Sequence, residues 1–98
     1  MRVAFSPASE TDLEEIGDAI ASDNPSRAIS FIQEIRTHCD AIVAAPMAAP
    51  ERNDLAPGLR MLVHGSYLIF YRILTGEIRI ERILHGARNI LTALGTVP

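Results

Sequence analysis

The fold turns on the run Ser66-Tyr67-Leu68-Ile69-Phe70-Tyr71-Arg72-Ile73-Leu74, the pair Thr75-Gly76, and the run Glu77-Ile78-Arg79-Ile80-Glu81-Arg82-Ile83-Leu84. Both runs are rich in β-branched and aromatic residues, and Thr75-Gly76 suits a two-residue hairpin loop. With that loop, Leu74 opposes Glu77, Ile73 opposes Ile78, Tyr71 opposes Ile80, Ile69 opposes Arg82 and Tyr67 opposes Leu84. One face then gathers Tyr67, Ile69, Tyr71 and Ile73 with Ile78, Ile80 and Leu84, a surface that must be buried. The other face carries Leu68, Phe70, Arg72 and Leu74 with Glu77, Arg79, Glu81, Ile83 and His85. Half apolar and half charged, it has the character of a protein-binding surface. Arg82 interrupts the apolar face, so it snorkels out, pairs with an acid or sits beside a bulge.

Upstream, Leu59–Val63 reads as a further strand, with His64-Gly65 as its turn. That turn places Arg60 opposite Ile69, on the same face as Arg82. Residues 46–58 hold Pro46, Pro50, Pro57 and Gly58 and read as a long irregular connection. Before it, Ala28, Phe31, Ile32, Ile35, Cys39 and Ile42 recur at helical spacing from Pro25 to about Ala45. Leu13, Ile16 and Ile20 do the same after Pro7. Ser6-Pro7 and Asn24-Pro25 are each a capping residue followed by proline at the first helical position. Glu10, Asp12, Glu14, Glu15 and Asp18 read as a solvated face, and His38 as solvent-facing. Val3 and Phe5 alternate with polar or small neighbours as a short first strand. The reading is an α+β fold: an N-terminal strand, an antiparallel helix hairpin, and a three-stranded antiparallel meander with the helices packed on one face. Residues 89–94 add a short closing helix.

The 98 residues are 48% apolar and 21% charged, which fits one globular domain over residues 1–98. No run approaches the ~20 apolar residues of a membrane span, and the N-terminus is too short an apolar run for a secretory signal. A soluble cytoplasmic protein with no membrane association is expected. Cys39 is the one cysteine, and it falls on the apolar stripe as a small core residue. His38, His64 and His85 lack ligand spacing on any one element, so no metal is expected. No glycine pattern for phosphate or nucleotide binding occurs, so no cofactor is expected. The net charge of −3 conceals a polarity: the first 54 residues are acidic, while the remainder carries Arg60, Arg72, Arg79, Arg82 and Arg88 against Glu77 and Glu81. Every basic residue is arginine, suited to bidentate contacts with carboxylate or phosphate.

The segments Pro57-Gly58-Leu59-Arg60, Gly65-Ser66-Tyr67-Leu68-Ile69-Phe70-Tyr71-Arg72 and Ile80-Glu81-Arg82-Ile83-Leu84-His85-Gly86-Ala87-Arg88 resemble, in order and spacing, toxins of the RelE/ParE superfamily. The Ile-Leu-His-Gly-Ala-Arg ending is closer to the ParE branch. The resemblance implies a toxin of a type II toxin–antitoxin system, held inactive in a hetero-oligomer by a cognate ParD-like antitoxin, with DNA gyrase as the ParE-type target. Candidate target-binding residues are Arg60, Arg82, His85 and Arg88. Candidate antitoxin-binding residues are Leu68, Phe70, Arg72 and Arg79.

Two other classes stay open. A RelE-like, ribosome-dependent mRNA endonuclease needs a base, an acid and cations around the phosphodiester, and Arg72, Arg79, Glu81 and His85 are its candidate parts. Glu81 and His85 lie ~13 Å apart at strand rise, and a net-negative chain attracts ribosomal RNA weakly, so an inhibitor without direct nucleic-acid binding is favoured over a catalyst. The third class is a non-toxic antitoxin-binding module. His85-Gly86-Ala87-Arg88 also has a purely structural reading as a strand end, a glycine turn and an arginine on backbone carbonyls.

Overall fold

The computed structural model describes residues 1–95. Strand β1 (Arg2–Phe5) leads into helices α1 (Pro7–Ala21) and α2 (Pro25–Ala41), and a 3-10 turn (Ile42–Ala44) closes the second helix. An irregular segment follows, then β2 (Arg60–His64), β3 (Tyr67–Leu74), β4 (Glu77–His85) and the short helix α3 (Ile90–Leu94). The four-stranded sheet has the order β1-β4-β3-β2. β1 runs parallel to β4, while β2–β3 and β3–β4 are antiparallel. This is the expected α+β architecture, with the first strand joining the meander at the β4 edge.

Both helix starts follow the capping reading. Ser6 Oγ accepts the Ser9 amide at 3.0 Å, and Asn24 Oδ1 accepts the Arg27 amide at 3.0 Å. Each cap satisfies one of the amide donors that the first helical turn leaves without a partner. The two helices then form a hairpin whose apolar stripes face the sheet. Leu13 and Ile16 from α1, Ile35 and Cys39 from α2, and Ile42 pack with Ile69, Tyr71, Ile78, Ile80 and Ile83. The Tyr71 hydroxyl donates to the Pro46 carbonyl at 2.7 Å, pinning the start of the proline-rich segment to the core.

The strand register departs from the sequence reading at one residue. From Leu74↔Glu77 to Tyr71↔Ile80 the pairing is as expected, but Phe70 then pairs with Arg82. Glu81 is the extra residue of a β-bulge. A one-residue insertion sends all later side chains to the opposite face. Ile69 therefore opposes Ile83 rather than Arg82, and Tyr67 opposes His85 rather than Leu84. Ile83 joins the helix-side core, whereas Leu84 packs with Leu59 and Phe70 beneath Ala93 and Leu94 of α3. The first turn is also shifted: the loop is Gly65-Ser66, with Gly65 at φ 58°, so His64 pairs with Tyr67 and Arg60 with Tyr71 instead of Ile69. The second sheet face thus carries a small core of its own, and its Phe70 is fully buried.

Candidate functional site

The arginines expected to face another macromolecule divide into three groups. The first is Arg82. β1 ends opposite Ile80, which leaves the outer edge of β4 beyond that point without a strand partner. The start of α1 fills this gap with side chains. Ser6 Oγ donates to the Glu81 carbonyl at 2.8 Å, and Asp12 Oδ2 accepts the Ile83 amide at 2.9 Å. Asp12 then meets Arg82 in a two-pronged pair, with Nε to Oδ2 and Nη2 to Oδ1 both at 2.8 Å. Arg82 Nη1 reaches the Ala93 carbonyl of α3 at 2.7 Å. Both partners are buried, Asp12 at 4% and Arg82 at 8% exposure. The carboxylate beside it holds the Arg82 guanidinium above its ordinary pKa against the opposing effect of burial. Asp12 is therefore no member of a solvated face, and of the three fates open to Arg82 it takes two, an acidic partner and a place beside a bulge. It ties α1, β4 and α3 together and offers no cationic surface.

The second group is Arg72, Arg79 and Glu81. Arg72 and Arg79 are direct cross-strand neighbours, an arrangement that repels unless a carboxylate lies between them. The bulge supplies one: Glu81 accepts from Arg79 Nε at 2.6 Å and from Arg72 Nη1 at 3.4 Å. The Glu81 side chain is 3% exposed, against 18% for Arg72 and 41% for Arg79. Arg72 Nε is buried without a hydrogen-bond partner. The bulge also separates Glu81 from His85, which is exposed at the far end of β4. The four candidate parts of a nuclease are thus two clusters, and the acid in one of them is covered.

Arg60 forms the third case. Its guanidinium donates to the Ala49 and Met47 carbonyls at 2.7 and 3.2 Å and pairs with Glu51 at 2.9 Å. It orders the proline-rich segment, and its side chain is 13% exposed. Arg88 differs from all of these. Among the described residues it is the one arginine with no ion pair, and it is exposed. It closes a turn in which the Arg88 amide donates to the His85 carbonyl and the Ala87 amide to His85 Nδ1, both at 3.0 Å. The His85 ring stands edge-on to Tyr67 at 5.2 Å. With Glu15 and Ala19 of α1, these residues border a shallow cleft of about 170 Å³.

On the α3 face, Leu68 and Phe70 lie at the floor of a groove of about 510 Å³, walled by Leu55, Met61, Ile90 and Leu91 and rimmed by Arg52 and Asp54. Of the expected antitoxin contacts, Leu68 is half-buried there, Phe70 is wholly covered, and Arg72 and Arg79 hold Glu81. α3 buries Ala93 and Leu94 but leaves Leu91 68% exposed over the groove. Sequence reasoning missed Met61, which lies in an expected strand but was not singled out, and Leu55, which lies in an irregular segment where periodicity carries no signal. Also unforeseen is the approach of His38 to His64, whose Nδ1 atoms are 2.8 Å apart, so His38 is partly buried rather than solvent-facing. No helix among the described residues is long and apolar enough to cross a membrane. No cluster of three metal-ligating side chains occurs among them.

Comparison with known proteins is consistent with this architecture. Residues 3–90 match the family described as the ParE toxin of the type II toxin–antitoxin system parDE. The chain is 34% identical over 92 residues to the toxin ParE1 of Mycobacterium tuberculosis, covering 91% of this chain and 93% of the relative. It is 28% identical over 85 residues to the toxin ParE3 of Caulobacter vibrioides, covering 86% and 85%. Among solved structures, a chain of the chromosomal ParDE system from P. aeruginosa superposes with a TM-score of 0.77 at 23% identity, over 87% of this chain and 95% of that one. A chain of the RelBE2 toxin–antitoxin complex of Mycobacterium tuberculosis gives 0.63 at 22% identity, over 86% and 95%. The two superpositions carry the fold, and the family match and sequence identity carry the relationship: the chain belongs to the ParE toxin family of type II toxin–antitoxin systems.

Proposed function

We propose that this toxin inhibits DNA gyrase by binding it, and that a ParD-like antitoxin silences it in a cytoplasmic hetero-oligomer. The supporting observation is the state of Glu81. A nuclease of the RelE type needs an accessible base or acid beside its cations. Here the acidic candidate on the sheet is buried and shared between Arg72 and Arg79, so it neutralises two cations instead of meeting a ribose. Binding without catalysis then accounts for the surface better than cleavage does.

The target-facing residues in this reading are Arg88 and His85, the exposed members of the sequence-derived set, with Tyr67 beside them. Arg60 and Arg82 are scaffold. The antitoxin covers the α3-side groove, where Leu68 and the exposed Leu91 offer sockets for apolar anchors. Arg79, with its guanidinium partly open, meets an acidic group of the antitoxin outside the groove. A folding-upon-binding segment suits such a small domain, because it adds buried apolar area that 98 residues alone supply sparingly.

The test is a supercoiling assay with purified gyrase, run beside a translation extract scored for mRNA cleavage. Inhibition of supercoiling with intact mRNA is the expected result. Cleavage of mRNA with normal supercoiling overturns the proposal in favour of the nuclease. Activity in neither, together with tight antitoxin binding, identifies a non-toxic binding module.

A further inference from the structure

His38 of α2 and His64 of β2 meet across the helix–sheet seam with their Nδ1 atoms 2.8 Å apart and their ring centroids 5.0 Å apart. The nitrogen separation plus the two ring radii accounts for the centroid separation, so the nitrogens face each other along the line joining the rings. That geometry is a hydrogen bond between opposite tautomers: one ring carries Nδ1–H and the other presents an Nδ1 lone pair. We propose that His38 and His64 form a proton-sharing clasp between α2 and the edge strand β2, shut with zero or one added proton and forced open by the second.

The sites available to the protons dictate this behaviour. In the neutral pair the donor ring has a bare Nε2, while the acceptor ring has its proton on Nε2. A first added proton goes to the donor's Nε2 and makes the bond charge-assisted, hence stronger. The acceptor's Nδ1 is then the one unprotonated nitrogen left. A second proton there sets N–H against N–H and imidazolium against imidazolium. Two unit charges 5 Å apart lower the second step by about 0.6 pH unit at the dielectric of water and about 2.4 at an effective value of 20. Partial burial acts in the same direction on His38.

The acid that attracts the charged pair is already engaged elsewhere. Glu34 of α2 attracts a charged His64, and its carboxylate is held by Arg27. Phe31 stands at a steep angle to His64 at 5.6 Å, and the Arg27 guanidinium lies over the Phe31 ring. From β3 comes the neutral Tyr67, and beyond it His85 of β4. The segment after α2 contributes Ala45, Ala48 and Ala49, which line a small cavity of about 170 Å³ with His38, Leu62 and Tyr71.

The experiment is a side-chain NMR titration of His38 and His64 in the full chain from pH 8 to 4.5. The expected result is a first step that moves His38 and His64 together and a second at least one pH unit below the first, a tenfold loss of proton affinity. Backbone amide signals of Leu62 to His64 shift with the second step. In His64→Gln the displaced second step disappears and His38 titrates in one transition. Independent single-step titration of both wild-type rings overturns the clasp. So does a second step that leaves the β2 amides unmoved; both readouts are available from the wild-type chain if the variant fails to fold.

Discussion

Replacing Arg82 by alanine leaves the Asp12 carboxylate buried with one backbone amide, from Ile83, in place of the amide and a two-pronged guanidinium. It also removes the donor to the Ala93 carbonyl. Breaking one side of a buried ion pair costs about 3–5 kcal/mol, because the remaining charge stays desolvated. A chain of this length has about 5–15 kcal/mol of folding stability in total. The loss is therefore a fifth of the stability or more, and the melting temperature falls by about 12–40 °C. Urea denaturation followed by far-UV circular dichroism reads the change as a shift in midpoint at constant slope. Asp12→Leu combined with Arg82→Met removes both charges at once and restores part of the stability, since apolar replacement of a buried pair is often neutral while the Ile83 amide and the Ala93 carbonyl lose these partners. If Arg82→Ala has the wild-type midpoint yet loses toxicity, the buried-pair reasoning is wrong and Arg82 belongs to the target surface.

Other outcomes follow from the same contacts. If the proposed gyrase inhibition holds, Arg88→Ala weakens it tenfold or more with an unchanged melting temperature, measured by supercoiling titration beside calorimetry. Ser6→Ala loses both the α1 cap and the bond to the Glu81 carbonyl, for about 1–2 kcal/mol in urea unfolding. Tyr71→Phe gives up the Pro46 contact at about 1 kcal/mol, and proteolysis within residues 46–58 should quicken. Burial pushes the Cys39 thiol up to about 12, so it should resist thiol reagents at pH 8 in the native chain and react in urea. The folded thiol keeps its proton where the unfolded one ionises, so this group's contribution to stability is complete below the unfolded pKa near 9. That contribution declines as pH rises above this value. A melting series from pH 8 to 10, compared with Cys39→Ala, isolates the effect.

The functional surface was only partly legible. The expected surface of outward arginines reduces, at its core, to Arg88 and part of Arg79. Alternation assigns a face to each strand residue, but it carries no sign of a bulge, since the inserted residue costs no pattern until its partners are known. Glu81 looks like any polar residue on a solvated face. It is instead the residue that holds Arg72 and Arg79 together and shifts Ile83 and Leu84 to opposite sides of the sheet. Asp12 was equally hidden. In a run of five acids, one aimed at the sheet edge has the same local sequence signature as four aimed at water.

What the sequence determined by itself was the order and type of the elements. Ser6-Pro7 and Asn24-Pro25 start two helices because a capping oxygen and a preset φ act within one turn. Three strands follow because period-two patterning and glycine turns are equally local. Tertiary structure alone decided which charges are spent. The Asp12–Arg82 pair and the His38–His64 contact join residues far apart in the chain, and desolvation of such pairs depends on what covers them. The ending of β1 at Phe5 exposes the β4 edge that Asp12 fills, and the bulge at Glu81 sets which side chains enter each core. Both are consequences of how strands of unequal length meet, a property of the assembled sheet and not of any segment.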